Sequence, residues 1–270
     1  MKKNIIYTNL ILCLFFTVGL LYGQAQQNTY TVIRVKDGII KDLTQKSNLI
    51  PQQKISESDL ISFESQDASA FLTGSDKKIY QLSYTNAASK LQVKNLINPV
   101  DDKPFSGVRS AGDAIVTDLV SYLGFDTFYV IGDELKFRVS RKVFGLNNNE
   151  YLALKVNEDG KAQIVKIPVE GNDTLVISKN FIEQYYSDET FTIYKISGHK
   201  KYSEEATIAL VFIAENELID VFKSLEETIS DKKLDFDKKL IFYNKYFDLL
   251  YGYTDQNTLL NWLKENKFLE

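Results

Sequence analysis

Between residues 28 and 97 apolar and polar side chains alternate in short runs, the period of half-buried strands. Tyr30 to Val35 is the first run, and it stops at Asp37-Gly38, a turn dipeptide. Ile39-Ile40, Leu49-Ile50, Lys54-Ile55, Leu60 to Phe63, Ser69 to Leu72 and Lys78 to Leu82 follow, parted by polar turn clusters. Helical periodicity is absent, which predicts a small all-β module over 26–97. Residues 98–112 carry Pro99, Pro104, Gly107 and Gly112 among Asp101, Asp102 and Ser106, the composition of a linker.

A helix is expected over 113–123. Ser110-Ala111-Gly112-Asp113 has capping-box spacing, Ile115, Leu119 and Leu123 repeat every four residues, and Gly124 stands where a helix stops. The strand period then returns. Phe128 to Ile131 and Leu135 to Val139 flank Gly132-Asp133-Glu134, and Tyr151 to Val156 and Ala162 to Ile167 flank Asn157 to Gly160, two hairpin-sized gaps. With Leu175 to Ile177, Phe191 to Ile196 and Thr207 to Ile213, about seven strands predict a β-sandwich-like domain over 113–214. Most gaps are too short for the crossover helices of a parallel α/β sheet.

The final 56 residues, 215–270, change to helical spacing. Leu218, Phe222, Leu225 and Ile229 form one apolar stripe, and Phe236, Leu240, Tyr243, Phe247 and Leu250 a second that ends at Gly252. Leu259, Leu260, Trp262 and Leu263 form a third, after the capping candidates Thr254 and Asp255. Three such stripes must bury themselves on one another or on the preceding domain. The fold class is therefore α+β, mainly β, with a three-helix tail.

The N-terminus reads differently. Lys2 and Lys3 precede an apolar stretch from Ile5 to Leu21, and Gly23 and Ala25 supply the small side chains of a cleavage site. Residues 1–25 are expected to be a secretory signal peptide cut after Ala25. A retained anchor would want roughly 20 apolar residues and a positive flank. Cys13, the single cysteine, follows Leu12 rather than a small residue, so a lipoprotein anchor is not expected. The mature chain has no cysteine and depends on its hydrophobic core rather than on disulfides. Without Lys2 and Lys3 it holds 30 basic against 36 acidic residues, a net charge of −6 that argues against a nucleic-acid partner. No second apolar segment reaches spanning length.

Arg34, Arg109, Arg138 and Arg141 are the only arginines against abundant lysine, asparagine, isoleucine and tyrosine. With the Gly23-Gln24-Ala25-Gln26 ending, this resembles exported envelope proteins of Bacteroidetes. Val35-Lys36-Asp37-Gly38-Ile39, followed by Ile55 to Phe63 ahead of an Ala-containing strand, resembles the order of pieces in FecR-type periplasmic β domains, although Gln53-Lys54 stands where those domains usually carry Gly-Asp. The resemblance implies an envelope module and carries over no functional residue. Proteins sent through the type IX route end in a β-sandwich sorting domain, whereas Trp262 to Phe268 reads as helix. The expected location is therefore periplasmic, with secreted or outer-membrane-associated as the alternative.

Catalytic signatures are sparse. His199 is the one histidine, in a loop between strands, too little for a triad or a histidine–cysteine metal site. Ser75-Asp76-Lys77-Lys78 has the Ser-x-x-Lys spacing of serine–lysine acylases but lacks the companion motifs and falls at a turn. Asp101-Asp102, Glu204-Glu205 and Glu226-Glu227 are adjacent acids, not a facing glycosidase pair, and Asp231 to Lys239 lacks the ligand spacing of an EF-hand. No cofactor or metal site is expected. Asn172-Asp173-Thr174-Leu175 contains a sequon and also resembles the short O-glycosylation motif of exported Bacteroidetes proteins, with Thr174 as acceptor. Tyr243, Tyr246, Tyr251 and Tyr253 crowd the second tail helix, either as core or as an aromatic contact surface. These features predict a non-enzymatic envelope protein that binds another protein or stabilises an assembly. The alternatives are a glycan-binding module and a carboxylate-based enzyme acting on glycans.

Overall fold

The computed structural model describes residues 28–85, 90–100, 115–124, 127–158, 161–185, 190–198 and 201–270. The expected signal segment with Ala25, most of the linker and His199 lie outside these residues. The chain forms two compact units, Met1–Val100 and Asp101–Glu270.

Among the described residues the first unit contains nine strands: β1 (Thr29–Lys36), β2 (Ile40–Asp42), β3 (Ser47–Asn48), β4 (Lys54–Ser56), β5 (Leu60–Phe63), β6 (Ser69–Gly74), β7 (Ile79–Ser83), β8 (Leu91–Gln92) and β9 (Ile97–Pro99). They pair into sheets of order β4-β1-β6-β7-β9 and β3-β2-β5-β8, antiparallel throughout. Tyr30, Val32, Leu72 and Leu82 from one sheet meet Ile40 and Ile61 from the other in a single core. Each such burial contributes about 1.5–3 kcal/mol. Pro99 lies on an edge strand, where its missing N–H costs no ladder bond. Leu49-Ile50 is not the strand its composition suggested. Leu49 turns inward, its N–H bonded to the Ile40 carbonyl, while Ile50 faces water.

The second unit opens with an isolated parallel bridge between Val116 and Val139 and a helix, α1 (Leu119–Leu123). This corrects the expected helix over 113–123. Asp118 caps α1 by accepting from Val120 N and Ser121 N, and Val116 is held in extended form by the Arg138 carbonyl and the Ser140 N–H. The expected stop at Gly124 is where the helix ends, at φ 86°.

Eight strands follow among the described residues: β10 (Thr127–Ile131), β11 (Glu134–Arg138), β12 (Glu150–Glu158), β13 (Lys161–Lys166), β14 (Val169–Glu170), β15 (Thr174–Ser178), β16 (Thr190–Ser197) and β17 (Lys201–Ile213). Two short helices, α2 (Arg141–Phe144) and α3 (Lys179–Tyr185), interrupt them without an advance signal in the sequence pattern. A five-stranded sheet, β10-β17-β16-β12-β13, and a three-stranded sheet, β11-β15-β14, share one core. Leu152, Leu154, Phe191, Ile193 and Ile208 supply one side of it, and Leu135, Phe137, Leu175 and Ile177 the other.

β12 and β13 form the expected hairpin, but β10 and β11 do not. β10 pairs in parallel with β17, whereas β11 crosses to the second sheet and pairs with β15. Gly132, at φ 80°, makes this corner and bonds its N–H to the Ile213 carbonyl. A gap of hairpin length therefore turns the chain between layers instead of within one.

The tail forms α4 (Glu215–Ile229), α5 (Phe236–Leu250) and α6 (Gln256–Glu265). Phe222 packs against Tyr243, Trp262 and Phe268 at ring separations of 5.2, 5.4 and 5.6 Å. The three helices are joined to the five-stranded sheet through β10. Tyr129 N donates to the Tyr253 carbonyl at 2.8 Å, and the Tyr129 carbonyl accepts from Thr254 Oγ1. Helix α6 stops at Glu265, short of the expected Phe268, because Lys267 turns left-handed at φ 63°. That turn folds Phe268 and Leu269 back onto Leu263, where both are buried.

Candidate functional site

The tyrosines singled out in the tail do not form an exposed surface. Tyr243, Tyr246 and Tyr251 are buried at 0, 3 and 1 % exposure, because their helical spacing turns them into the tail core. Tyr251 reaches Glu217 Oε1 with its hydroxyl at 3.1 Å, and half-buried Tyr253 packs edge-on against Phe128. The Ser-x-x-Lys segment lies at a turn, as its composition suggested. Ser75 to Lys78 is the β6–β7 turn, with Lys77 left-handed at φ 62° and Asp76 accepting from the Tyr80 hydroxyl. Among the described residues no cluster of three or more histidine, cysteine or acidic side chains is arranged to hold a metal ion.

An exposed aromatic face exists elsewhere, on the outer side of the five-stranded sheet. Strand alternation sends Leu152, Leu154 and Ile193 into the core and their neighbours outward. β12 pairs with β16 so that Tyr151 stands opposite Ile196, and β16 pairs with β17 so that Ile196 stands opposite Tyr202. The next row runs Lys166, Ala153, Tyr194 and Glu204. This register depends on a bulge in β17. Ile193 faces Ala206, but Tyr194 faces Glu204, leaving Glu205 unpaired and placing Tyr202 on the outer face.

The result is a Tyr–Ile–Tyr row across three strands. Tyr202 is 60 % exposed and Ile164, on β13, is 38 % exposed. Ile196 is buried because the two rings flank it in register. Lys166 Nζ lies 5.2 Å from the centre of the Tyr151 ring, a cation–π contact. Tyr194 donates to Glu204 Oε1 at 3.3 Å; burial first and this carboxylate second raise its hydroxyl above the usual tyrosine range.

Beside the row, Asn148, Asn149 and Gly198 complete a shallow hollow of about 190 Å³ with Tyr151, Ile164, Ile196 and Tyr202. Its asparagine rim is held by backbone bonds. Asn147 Oδ1 accepts from the N–H groups of Asn149 and Glu150 at 2.8 and 2.9 Å, and Gly198 N donates to the Asn149 carbonyl at 2.7 Å. The side-chain amides of Asn148 and Asn149 make no hydrogen bond among the described residues, and both residues are exposed. Among the described residues the lining carries no charged group.

A second hollow of about 200 Å³ lies between β11, β15, α1 and α6, where Thr174 is found. Thr174 is half-buried in β15, opposite Arg138 on one side and Glu170 on the other. The cations here are already engaged. Arg138 Nη2 donates to Asp173 Oδ2 at 2.7 Å, and Lys136 Nζ lies 2.9 Å from Glu170 and 3.0 Å from Glu134. The hydrogen bond from Arg138 holds the Asp173 carboxyl below its usual range. This hollow is a self-satisfied polar network, whereas the tyrosine face is open and its amides are uncommitted among the described residues.

The sequence pattern placed Tyr151 and Ile196 on strands without joining them and did not reach Tyr202, which precedes the strand expected at Thr207 to Ile213. Only the pairing register and the β17 bulge bring them into one row. No family model matches the chain and no curated protein matches it, so the tyrosine face rests on its geometry alone.

Proposed function

We propose that the chain is an exported, non-enzymatic recognition module of a bacterial cell envelope and that it holds its partner on the Tyr151–Ile196–Tyr202 face. The export half of this reading rests on residues 1–25, with their lysine pair, apolar stretch and small residues at Gly23 and Ala25. The recognition half rests on one observation, the in-register Tyr151–Ile196–Tyr202 row on the outer sheet face, in which Tyr202 is exposed, Tyr151 half-exposed and Ile196 covered between them. Tyrosine offers a large, rigid and amphipathic contact at low entropic cost, which makes an exposed row of it a contact surface rather than surplus core.

Cosedimentation of the purified mature protein with isolated envelope fragments tests the reading. The wild-type protein should pellet with the fragments, and a Tyr151→Ala/Tyr202→Ala double variant should stay in solution while still unfolding cooperatively, its melting temperature lowered only by the uncovering of Ile196. Equal behaviour of the two proteins, or turnover of an envelope glycan dependent on specific acidic residues, overturns it.

A further inference from the structure

We infer that the hollow beside Tyr151 and Tyr202 binds a neutral saccharide, a short stretch of an uncharged glycan laid across the sheet. The inference rests on reading this face as a recognition surface and adds the chemical class of the ligand.

The lining argues for that class. Among the described residues the hollow is formed by two phenol rings, two aliphatic side chains, two asparagines and one glycine, none of them a carboxylate or a cation. A sugar ring has an apolar C–H face and a rim of hydroxyls that both donate and accept. The C–H face packs on the electron-rich face of an aromatic ring, and the hydroxyls suit amides, which also offer both donor and acceptor atoms. Asn148 and Asn149 present such amides at the rim, uncommitted among the described residues.

The spacing is also suitable. Tyr151 and Tyr202 stand on strands separated by β16, so their backbones are about 9.5 Å apart. That leaves room for a sugar ring over Tyr202 and a second beside Tyr151, whose ring already carries Lys166, with the buried Ile196 side chain between them. Among the described residues the lining itself offers a charged glycan no countercharge. Lys166 is already placed over the Tyr151 ring, and Glu204 accepts from Tyr194. A protein partner fits less well, since a standard protein interface uses about 20–30 residues on each side. The uncharged hollow has seven.

The test has two arms. In the first, short neutral β-linked glucose and N-acetylglucosamine oligomers, and an acidic uronate oligomer, are titrated calorimetrically into the mature protein. At least one neutral oligomer should bind while the uronate does not. Tyr202→Ala should weaken that binding about tenfold, as for a buried aromatic anchor. Tyr202→Phe, which keeps the ring, should stay within about threefold by the same reasoning. In the second arm, envelope fragments are treated with protease before cosedimentation. Retained binding, competed by the soluble neutral oligomer, supports the inference. If protease abolishes wild-type binding and no neutral oligomer binds, the saccharide is overturned. Should the tyrosine variants still fail to pellet on untreated fragments, the recognition reading survives with a protein partner. If those variants pellet like wild type, both fall.

Discussion

The hydroxyl of Tyr122 on α1 donates to Asp255 Oδ2 at 3.1 Å, joining residues 133 positions apart in sequence. Asp255 also caps α6, its Oδ1 accepting from Thr258 N at 2.7 Å and from Thr258 Oγ1 at 2.9 Å. One carboxylate therefore starts the last helix and fastens it to the helix that opens the unit. Burial first, and the Asp255 charge second, push the Tyr122 hydroxyl far above its usual pKa, so it remains a donor at every working pH. Tyr122→Phe should cost about 1–2 kcal/mol, the range for a hydrogen bond to a charged acceptor with part of its geometry exposed. Asp255→Ala removes the cap as well and should cost about 2–3 kcal/mol. Urea unfolding of both variants checks the order, and a Tyr122→Phe protein as stable as wild type would show that the bond contributes nothing net.

Tyr243 gives the opposite sign for the same substitution. Its ring packs against Phe222 and Phe268, but its buried hydroxyl has no hydrogen-bond partner among the described residues. A buried hydroxyl left unpaired carries its desolvation cost without return. Tyr243→Phe keeps the ring contacts and should stabilise the protein by about 1 kcal/mol, read as a higher denaturation midpoint at unchanged slope. A clear loss of stability would mean that the hydroxyl is satisfied by bound water.

Much of the fold was legible because burial imposes a period on the sequence. The stripes Leu218-Phe222-Leu225-Ile229 and Leu259-Trp262-Leu263 predicted α4 and α6, and Asp255 served as its cap. The short helices α2 and α3 lacked enough turns to show a period. The β10–β11 corner was read as a hairpin because a three-residue gap fits either geometry, and only the partner strands β17 and β15 decide between them. The candidate site was least legible. Tyr151, Ile196 and Tyr202 are separated by as many as 51 residues, and their alignment depends on the extra residue at Glu205, which no local pattern announces. The crowd of tail tyrosines drew attention for its composition, yet helical spacing turned three of them inward.

Asp248 on α5 should make stability fall with rising pH. Burial alone lifts its carboxyl from an ordinary value near 3.8 up to about 6. Because the folded-state pKa lies above the unfolded one, the folded chain holds an extra proton between these values. Stability is therefore lost as pH rises through about 4 to 6. The displacement converts to about 3 kcal/mol, which partial solvent screening reduces to about 1–2 kcal/mol. Asp248→Asn should exceed wild type by that amount at neutral pH and approach its stability near pH 4. Denaturation of both proteins at the two pH values decides the matter, and a gap independent of pH would assign the effect to packing instead of ionisation.

Gly145 is the position where the backbone leaves least choice. It ends α2 at φ 73°, a conformation that L side chains rarely adopt, and a Cβ there would collide with the Cβ and carboxylate of Glu150. Both groups belong to the start of β12, which cannot shift without disturbing the Glu150–Ser197 and Tyr151–Ile196 pairs. Gly145→Ala should thus cost about 2–4 kcal/mol, combining backbone strain with a forced displacement. The same displacement would tilt Tyr151 and loosen the Asn147 bonds that hold the asparagine rim, so recognition should weaken together with stability. The contrasting variant is Gly171→Ala, also left-handed at φ 60° but with no atom near the added Cβ. It should cost only about 1 kcal/mol of strain and leave binding untouched. Melting curves and envelope cosedimentation of the pair separate the two terms. Equal losses in the two variants would mean that the collision with Glu150 is relieved at no cost and that the rim does not depend on it.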